Sequence, residues 1–315
     1  MSVNNKVVTI ICLCYNHASF VEEAMRSVMN QSYPHKQVIL VDDCSTDNSR
    51  DKIMELKKAF SSIIVILNEQ NEGNCRSFNK ALGLATGDYV IDFATDDVMQ
   101  SDRLAQQVAF FERQAESVGV VYGNATLMNQ EGVFLNNFYG DEENLPVRDV
   151  FAALLKRSFI MPSTMLIKKA VFDELEGYDA SLAYEDFDFW IRSSRTWNYA
   201  YQPEILMKQR IVSGSHSTKF TQRKNALVPS TVTVCEKAFQ LLRTKEEEQA
   251  LVIRLKLVMR QCFLTENTDA LDRVVKLLKQ LNQGNALADF LLYGANLPLP
   301  INKIYQFYLS LKTKH

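Results

Sequence analysis

Two adjacent carboxylates, Asp96 and Asp97, are the first residues in the chain whose type and position suggest chemistry. They end the segment DYVIDFATDD, in which residues 89–93 are long and apolar enough for a buried strand. Open α/β sheets bind ligands at the carboxyl ends of their strands, and carboxylate oxygens suit Mg²⁺ or Mn²⁺ that bridges phosphates. Alternatively, both residues cap a helix that starts near Ser101, because Asp is common at helix starts.

A second acidic cluster, YEDFDFWIR, spans residues 184–192. In a helix, Asp186 would share a face with Trp190, because side chains three or four residues apart are neighbours. A carboxylate at the start of this helix, beside aromatic side chains, would be partly desolvated, which raises its pKa toward the range of a general base. The alternative is that the carboxylates only interact with the helix dipole and that the aromatic residues are ordinary core.

A polar loop, RIVSGSHSTK, occupies residues 210–219. Arg210 suits a bidentate phosphate contact, and a neutral His216 can ligate a cation. The loop is rich in Gly and Ser and could fold over a diphosphate. For His216, an exposed polar linker that leads to the carboxyl-terminal helices is the open alternative.

The elements that must position these side chains form a repeating pattern. Four apolar segments are predicted as strands, with helices between them, at residues 7–13, 37–41, 63–67 and 89–93. This alternation predicts an α/β fold with a parallel sheet and right-handed crossovers. The polar loops after the strands then meet at one edge of the sheet, and they hold Asp42, Asp43, Asn71, Gly73, Asp96 and Asp97. Convergence of three such loops favours a ligand site over helix capping alone.

The composition is that of an ordinary globular protein, with 315 residues, 47% hydrophobic and 23% charged. A formal net charge of −2 argues against a nucleic-acid binder held by its global charge, because such a footprint is basic, and leaves a local basic patch open. The first residues lack the order of a signal peptide, and no apolar run approaches the roughly 18 residues of a membrane span, so we expect a cytoplasmic protein. The six cysteines contain no C-x-x-C pair, which favours reduced, packed thiols over a zinc site or disulfides.

Five segments in order resemble the motifs of the inverting glycosyltransferase family 2, which has the GT-A fold: VTIICLCYN, VILVDDCSTDNS, NEGN, GDYVIDFATDD and YEDFDFWIR. The resemblance runs from residue 7 to about residue 195. It implies a nucleotide-sugar donor, with a UDP-sugar expected, a glycan acceptor, and Mn²⁺ or Mg²⁺ as cofactor. It also suggests a bacterial enzyme of surface-polysaccharide synthesis, such as that of O-antigen or capsule.

The same resemblance implies roles for the residues at the sheet edge. Tyr15 would lie against the nucleotide base and Asp43 would hydrogen-bond to it, with Asp42 beside it. Asp96 would contact the ribose or metal region, and Asp97 would be the main protein ligand of the cation. Loop residues Asn71 and Gly73 are also assigned to nucleotide binding.

The remaining implied roles belong to the later segments. Asp186 matches the catalytic base, which deprotonates an acceptor hydroxyl, and Glu185 and Trp190 are assigned to the acceptor side. Arg210 and His216 are expected at the diphosphate, and His216 also as a metal ligand.

The chain departs from the family pattern at two positions. Many members carry Asp-x-Asp-Asp at the strand end, where this chain has Ala94 first. The family often has Arg followed by His in the late loop, where Val212 takes the His place. Processive members carry a Gln-x-x-Arg-Trp motif beside membrane helices, and its absence here favours transfer of a single sugar.

Beyond about residue 220 the resemblance ends and helical patterns take over. We predict a catalytic domain at 1–219, with a nucleotide-binding half at 1–98 and an acceptor-binding half at 99–219, and a helical region at 220–315. The helical region either packs on the catalytic domain or contacts a partner or membrane surface, because residues 291–315 contain Lys but no acidic residue. Such contact at the inner face of the cell membrane would suit a lipid-linked acceptor.

Two other functions remain open at this point. A nucleotidyltransferase would need a Gly-rich, basic loop after the first strand to hold a triphosphate, and LCYNHAS lacks one. A catalytically inactive nucleotide-sugar-binding module is the other alternative. Retention of both Asp97 and Asp186 argues against it.

Overall fold

The computed structural model describes residues 5–140, 144–212, 216–284, 286–295, 297 and 299–312. The nine strands of the described chain are β1 (Val8–Cys14), β2 (Lys36–Asp42), β3 (Ile64–Leu67), β4 (Tyr89–Ala94), β5 (Val98–Met99), β6 (Val118–Met128), β7 (Phe134–Asn137), β8 (Leu166–Lys168) and β9 (Asn198–Arg210). Its helices are α1 (Val21–Met29), α2 (Ser49–Ala59), α3 (Asn74–Leu82), α4 (Arg103–Phe111), α5 (Phe151–Lys156), α6 (Lys169–Leu175), α7 (Asp186–Ser193), α8 (Leu227–Leu241), α9 (Lys245–Leu264), α10 (Thr268–Gln280), α11 (Ala286–Ala295) and α12 (Ile301–Lys312).

The chain forms two compact units. The first comprises 1–150, 159–180 and 196–212 and holds the whole sheet, whereas the second comprises 151–158, 181–195 and 213–315. Helices α5 and α7 belong to the second unit because they pack on α8 and α9. The second unit includes residues 151–158 and 181–195, which precede the domain boundary predicted at residue 219. That boundary divides the chain by function, and it stays a prediction.

The sheet has the strand order β3-β2-β1-β4-β8-β6-β9-β5, and β7 pairs with β6. The first four long strands pair in parallel, as the sequence predicts. Strand β1 is apolar and almost wholly buried, because helices cover both faces of a parallel sheet. The other half is mixed: β6 and β9 are parallel, while β5, β7 and β8 add antiparallel pairs.

Strand β1 lies at a topological switch point. The chain runs from β1 to β2 and β3 on one side and then returns to place β4 on the other side of β1. In open α/β sheets a ligand crevice forms outside the carboxyl ends of the strands at such a point. The loops that follow β1, β2 and β4 therefore meet there.

Helices α8, α9 and α10 form the core of the second unit. The stripe predicted in α10, which includes Leu271, Val274 and Leu278, is buried. The Arg254 side chain in α9 donates hydrogen bonds to the carbonyls of Leu154 and Leu155, which fixes α5 to α9. Of the helices in the described residues, none is both long and apolar enough to cross a bilayer.

Candidate active site

Asp96 and Asp97 lie in a tight turn between β4 and β5. Strand β5 pairs with the end of β9, which brings the Arg210 amide to 2.8 Å from Asp97 Oδ1, to which it donates. The helix-capping alternative is wrong, because α4 begins only at Arg103, with Asp102 at its N-cap. The carboxylate pair therefore has no capping function and lies at the crevice edge.

Asp97 is a buried carboxyl group whose surroundings disfavour its charged form. Its exposed fraction is 3%. Burial, reinforced by the negative charge of Asp96, raises the pKa of the Asp97 carboxyl well above its ordinary value, although Arg210 and Arg103 act in the opposite direction. A positive charge beside this carboxylate would relieve both causes.

The donor set fits a divalent cation that takes part of its coordination from a substrate. Asp97 Oδ2 accepts no hydrogen bond from the described residues, so one oxygen is available to a metal. The described residues contain no group of three His, Cys, Asp or Glu side chains placed to hold a metal. Mg²⁺ is commonly bound by one or two carboxylates together with substrate phosphates. Asp96 and Asp97 thus fit a phosphate-bridging cation better than a closed metal site.

Two residues beside the carboxylates were not predicted from the sequence. His17 follows β1, with Nδ1 2.9 Å from Thr95 Oγ1 and Nε2 4.0 Å from Asp96 Oδ2. Arg103 is fully buried, and its burial lowers the pKa of the guanidinium to about 9, against the charge of Asp97. For His17, its position directly after a strand of the crevice was a sequence signal for a site residue. Nothing in the sequence indicated a role at the site for Arg103.

Asp43 organises the loop that follows β3. Its carboxylate accepts hydrogen bonds from the side chains of Asn68 and Ser77 and from the amides of Glu72 and Gly73, at 2.8 to 2.9 Å. Burial alone would raise the pKa of Asp43, but these four hydrogen bonds outweigh it and hold the pKa below its ordinary value. The structure thus brings Asp43 and Gly73 together, and a base contact by Asp43 stays a prediction.

We expect Asp43→Asn to lower the free energy of unfolding at pH 7 by about 2–3 kcal/mol, because hydrogen bonds to a charged acceptor are lost. The folded pKa of Asp43 lies below the unfolded one, so its contribution is complete above the unfolded pKa, about 4, and is lost as the pH falls through the folded pKa. Urea unfolding between pH 3 and 7 should show this acid-side loss in the wild type and much less of it in the variant. Asp51→Asn, on the exposed face of α2, is the control.

Asp42 stabilises the loop after β2 through hydrogen bonds from that loop and from α2. It is fully buried, and Oδ1 accepts hydrogen bonds from the Ser45 amide at 3.0 Å and from Arg50 Nε at 2.7 Å. Oδ2 is buried and has no hydrogen-bond partner in the described structure. Asp42 therefore has a structural role here, and a direct nucleotide contact by it stays a prediction.

Tyr15 is the exposed aromatic residue of the crevice, with an exposed fraction of 45%. The next residue, Asn16, adopts a left-handed backbone with φ 59° and accepts the Thr46 amide at 2.8 Å. Its own amide donates to Ser45 Oγ at 2.9 Å. These two hydrogen bonds join the loops after β1 and β2. The Tyr15 ring is exposed and can stack on a planar group. Asn71 is exposed on the neighbouring loop.

Arg210 is buried, and its guanidinium links several parts of the first unit. Its guanidinium donates to the carbonyls of Asp96 and Gln130 and to Glu23, and it lies over the Phe20 ring. These contacts tie β9, α1 and the β6–β7 hairpin to the carboxylate turn. A diphosphate contact by Arg210 stays a prediction. His216 begins a short 3-10 helix, but its side chain lies outside the described part of the structure.

Most of the second acidic cluster lies in helix α7, Asp186–Ser193. Asp186 is its first residue, half-buried, and Glu185 is the N-cap residue. Trp190 is buried, so an acceptor contact by its ring stays a prediction. These three residues belong to the second compact unit. A metal site at Asp97 and a general base at Asp186 stay predictions.

Asp188 clamps α7 onto α8. Its exposed fraction is 1%, and its two oxygens lie 2.6 Å from Arg192 Nε and 2.6 Å from Lys237 Nζ. The residue was not predicted as important, although its spacing to Arg192 is that of a helical ion pair. The clamp fixes the orientation of the helix that starts at Asp186.

We expect Asp188→Asn to lower the free energy of unfolding by about 2–3 kcal/mol, less than the roughly 3–5 kcal/mol of a wholly buried pair, because both cations reach water. Urea unfolding measures the effect. Asp173→Asn removes an exposed ion pair with Lys169 and should cost about 0.5 kcal/mol or less. Equal losses in the two variants would contradict the clamp.

A parallel half-sheet with polar and acidic loops at its switch point is the architecture of α/β proteins that bind ligands at the carboxyl ends of their strands. The model of the family "Glycosyl transferase family 2" matches residues 9–176. The chain belongs to this family, is a glycosyltransferase and has the predicted GT-A fold. Membership sets aside the nucleotidyltransferase alternative.

Similar proteins support the same assignment. TuaG of Bacillus subtilis (strain 168), whose name assigns it to teichuronic acid biosynthesis, is 31% identical over 67% of this chain and 82% of its own length. An uncharacterized glycosyltransferase of Haemophilus influenzae is 26% identical over 70% of this chain and 71% of its own.

Two solved structures share the fold at 17% identity. S. aureus TarS in complex with UDP-GlcNAc has a TM-score of 0.66 and covers 91% of this chain and 86% of its own. The mannosyltransferase PcManGT from Pyrobaculum calidifontis, in complex with GDP-Man and Mn²⁺, has a TM-score of 0.59 and covers 96% and 79%.

Proposed function

We propose that this glycosyltransferase moves one sugar, with inversion, from a UDP-sugar to a hydroxyl group of a glycan acceptor in surface-polysaccharide synthesis, and that it needs Mn²⁺ or Mg²⁺. The observation that carries the proposal is the buried Asp97, whose pKa is raised and whose Oδ2 remains available beside Asp96. The name of TuaG and the ligands of TarS and PcManGT support the donor class, the cation and the polysaccharide product.

In the proposed reaction Asp186 accepts the proton of the acceptor hydroxyl group. The hydroxyl oxygen attacks the anomeric carbon in line, the bond from that carbon to the diphosphate oxygen breaks, and the nucleoside diphosphate leaves with the electron pair. Tyr15 stacks on the base, Asp96 lies in the ribose or metal region, and Asp97 would hold the cation. When bound, the cation offsets the charge of the leaving group.

Further assignments belong to the same proposal. Asp42, Asp43, Asn71 and Gly73 form the nucleotide side of the crevice, with Asp42 acting through the loop that it supports. Arg210 and His216 serve the diphosphate, and His216 is the second candidate metal ligand. Glu185 and Trp190 serve the acceptor side.

We also propose a location in the cytoplasm, at the inner face of the cell membrane. An acceptor carried on a lipid would present its growing end at that surface. Helices α11 and α12 support this contact, because they expose several aromatic and aliphatic side chains.

A panel of nucleotide sugars tests the function. With Mn²⁺, the correct donor at 100 times its Kd should stabilise the native protein by about 2.7 kcal/mol, and the stabilisation should be much smaller in EDTA. Release of nucleoside diphosphate in the presence of glycan acceptors then measures transfer. Stabilisation without release on any acceptor would identify an inactive binding module, and no stabilisation by any donor would contradict the proposal.

A further inference from the structure

A cavity of about 640 Å³ opens near the carboxyl-terminal end of the second unit. Its polar lining contains three cations, Arg223, Lys224 and Lys303, and one carboxylate, Glu266. Leu297 and Leu299 are among its apolar lining residues. A cavity with both kinds of lining suits an amphiphilic anion.

The carboxylate in the cavity does not cancel the positive charge. Glu266 accepts the Asn302 amide at 2.9 Å and Arg223 Nε at 2.5 Å, and these two hydrogen bonds hold its pKa below the ordinary value. Glu266 therefore stays ionised and neutralises one cation. Lys224 and Lys303 are exposed and have no ion-pair partner among the described residues. The cavity keeps two uncompensated positive charges.

Helix α12 carries an apolar stripe that faces solvent. Ile304, Phe307, Tyr308 and Leu311 follow the i, i+3, i+4, i+7 pattern of one helix face, and their exposed fractions are 49 to 66%. The helix is anchored at its start, because the Asn302 side chain donates to the carbonyls of Leu264 and Thr221. An outward apolar stripe beside basic residues is typical of helices that lie in a membrane interface.

We propose that the cavity binds the phosphate headgroup of an anionic membrane lipid while the α12 stripe lies in the interfacial layer of the bilayer. The proposal rests on the proposed membrane contact and names the site that makes it. Charge selects the occupant: a second copy of this chain would have to bring acidic side chains, and residues 291–315 contain none. A lipid supplies the phosphate and the apolar layer together.

Co-sedimentation of the full chain with vesicles tests the proposal. Wild type should bind vesicles of phosphatidylglycerol and phosphatidylcholine and bind pure phosphatidylcholine weakly. Lys224→Gln/Lys303→Gln should bind the anionic vesicles about 30-fold more weakly, because each basic residue at an anionic surface contributes about fivefold. The control Lys245→Gln/Lys276→Gln makes the same charge change in exposed helical ion pairs and should bind nearly as the wild type does.

Three outcomes would overturn the proposal. The first is equal binding by the two double variants. The second is stabilisation of the wild type, but not of Lys224→Gln/Lys303→Gln, by inorganic phosphate without vesicle binding, which would identify a site for a soluble anion. The third is a concentration-dependent dimer, abolished by Ile304→Ser/Phe307→Ser, without vesicle binding.

Stabilisation by UDP and Mn²⁺, measured on the same variants, separates this proposal from the proposed function. We expect it to be unchanged, because neither lysine belongs to the nucleotide crevice. Vesicle binding by a protein that UDP does not stabilise would leave the headgroup site intact and contradict the proposed function alone. Circular dichroism of each variant shows that it is folded.

Discussion

Asp186→Asn is expected to lower the rate of sugar transfer by about 10²- to 10⁴-fold, the usual contribution of a general base, and to leave donor binding unchanged. The amide has nearly the shape of the carboxylate but cannot take a proton from the acceptor hydroxyl group. Asp186 is half-buried at the first position of α7, whose orientation the Asp188 clamp fixes independently. The fold should therefore tolerate the change.

Initial rates of nucleoside diphosphate release, with donor and acceptor saturating, measure this effect. Calorimetric titration of the donor with Mn²⁺ checks that binding is retained. Asp173→Asn, on the exposed surface of α6, is the matched control and should keep the full rate. Near-normal turnover by Asp186→Asn would show that another group is the base.

Asp97→Asn should have two opposite effects, which together identify the carboxylate as a metal ligand. Donor affinity should lose its dependence on Mn²⁺, because the anionic oxygen is gone. The metal-free protein should become more stable at neutral pH, with Tm higher by about 2–4 °C, the size of a change of about 1 kcal/mol. The Asn oxygen can still accept the Arg210 amide hydrogen bond, so the turn between β4 and β5 is preserved.

The sign of the second effect follows from the raised pKa of Asp97. An acid whose folded pKa exceeds its unfolded pKa destabilises the native state progressively as the pH rises from the unfolded value, about 4, to the folded value. Thermal unfolding in EDTA between pH 4 and 8 should therefore show a decline in the wild type that Asp97→Asn lacks. Asp102→Asn, at the N-cap of α4, is the control. Donor binding by Asp97→Asn that still responds to Mn²⁺ would disprove the assignment.

The parallel half of the sheet was predictable because its signals are local. Parallel strands covered by helices are nearly continuous apolar runs, so β1, β2 and β4 are recognised within one or two residues of their ends. The edge strand β3 is recognised as well, because it is also an apolar run, although it is partly exposed. Parallel strands also share one edge for their carboxyl ends. That geometry predicts that Asp43, Gly73 and the Asp96–Asp97 pair lie at one crevice.

The contacts that complete the site were not predictable, because they join distant residues. The Arg210 amide donates to Asp97 across 113 residues, and nothing in the sequence of the late loop indicates this hydrogen bond. The grouping of α5 and α7 with the carboxyl-terminal helices depends in the same way on packing between distant segments. Ala94, where the family often has Asp, is exposed at the end of β4, so its methyl group faces outward where a carboxylate is usual.

The turn after β2 also contains a cysteine, Cys44, that a reagent can reach. Cys44 is the partly exposed cysteine of the six, whereas the other five are buried. Its Sγ lies 3.4 Å from the Glu69 carbonyl oxygen, between the loop after β2 and the loop that Asp43 organises. A thiol-reactive fluorophore would therefore attach selectively at the rim of the crevice that is proposed to bind the donor. Its emission would report donor arrival in real time, without a radioactive or coupled assay.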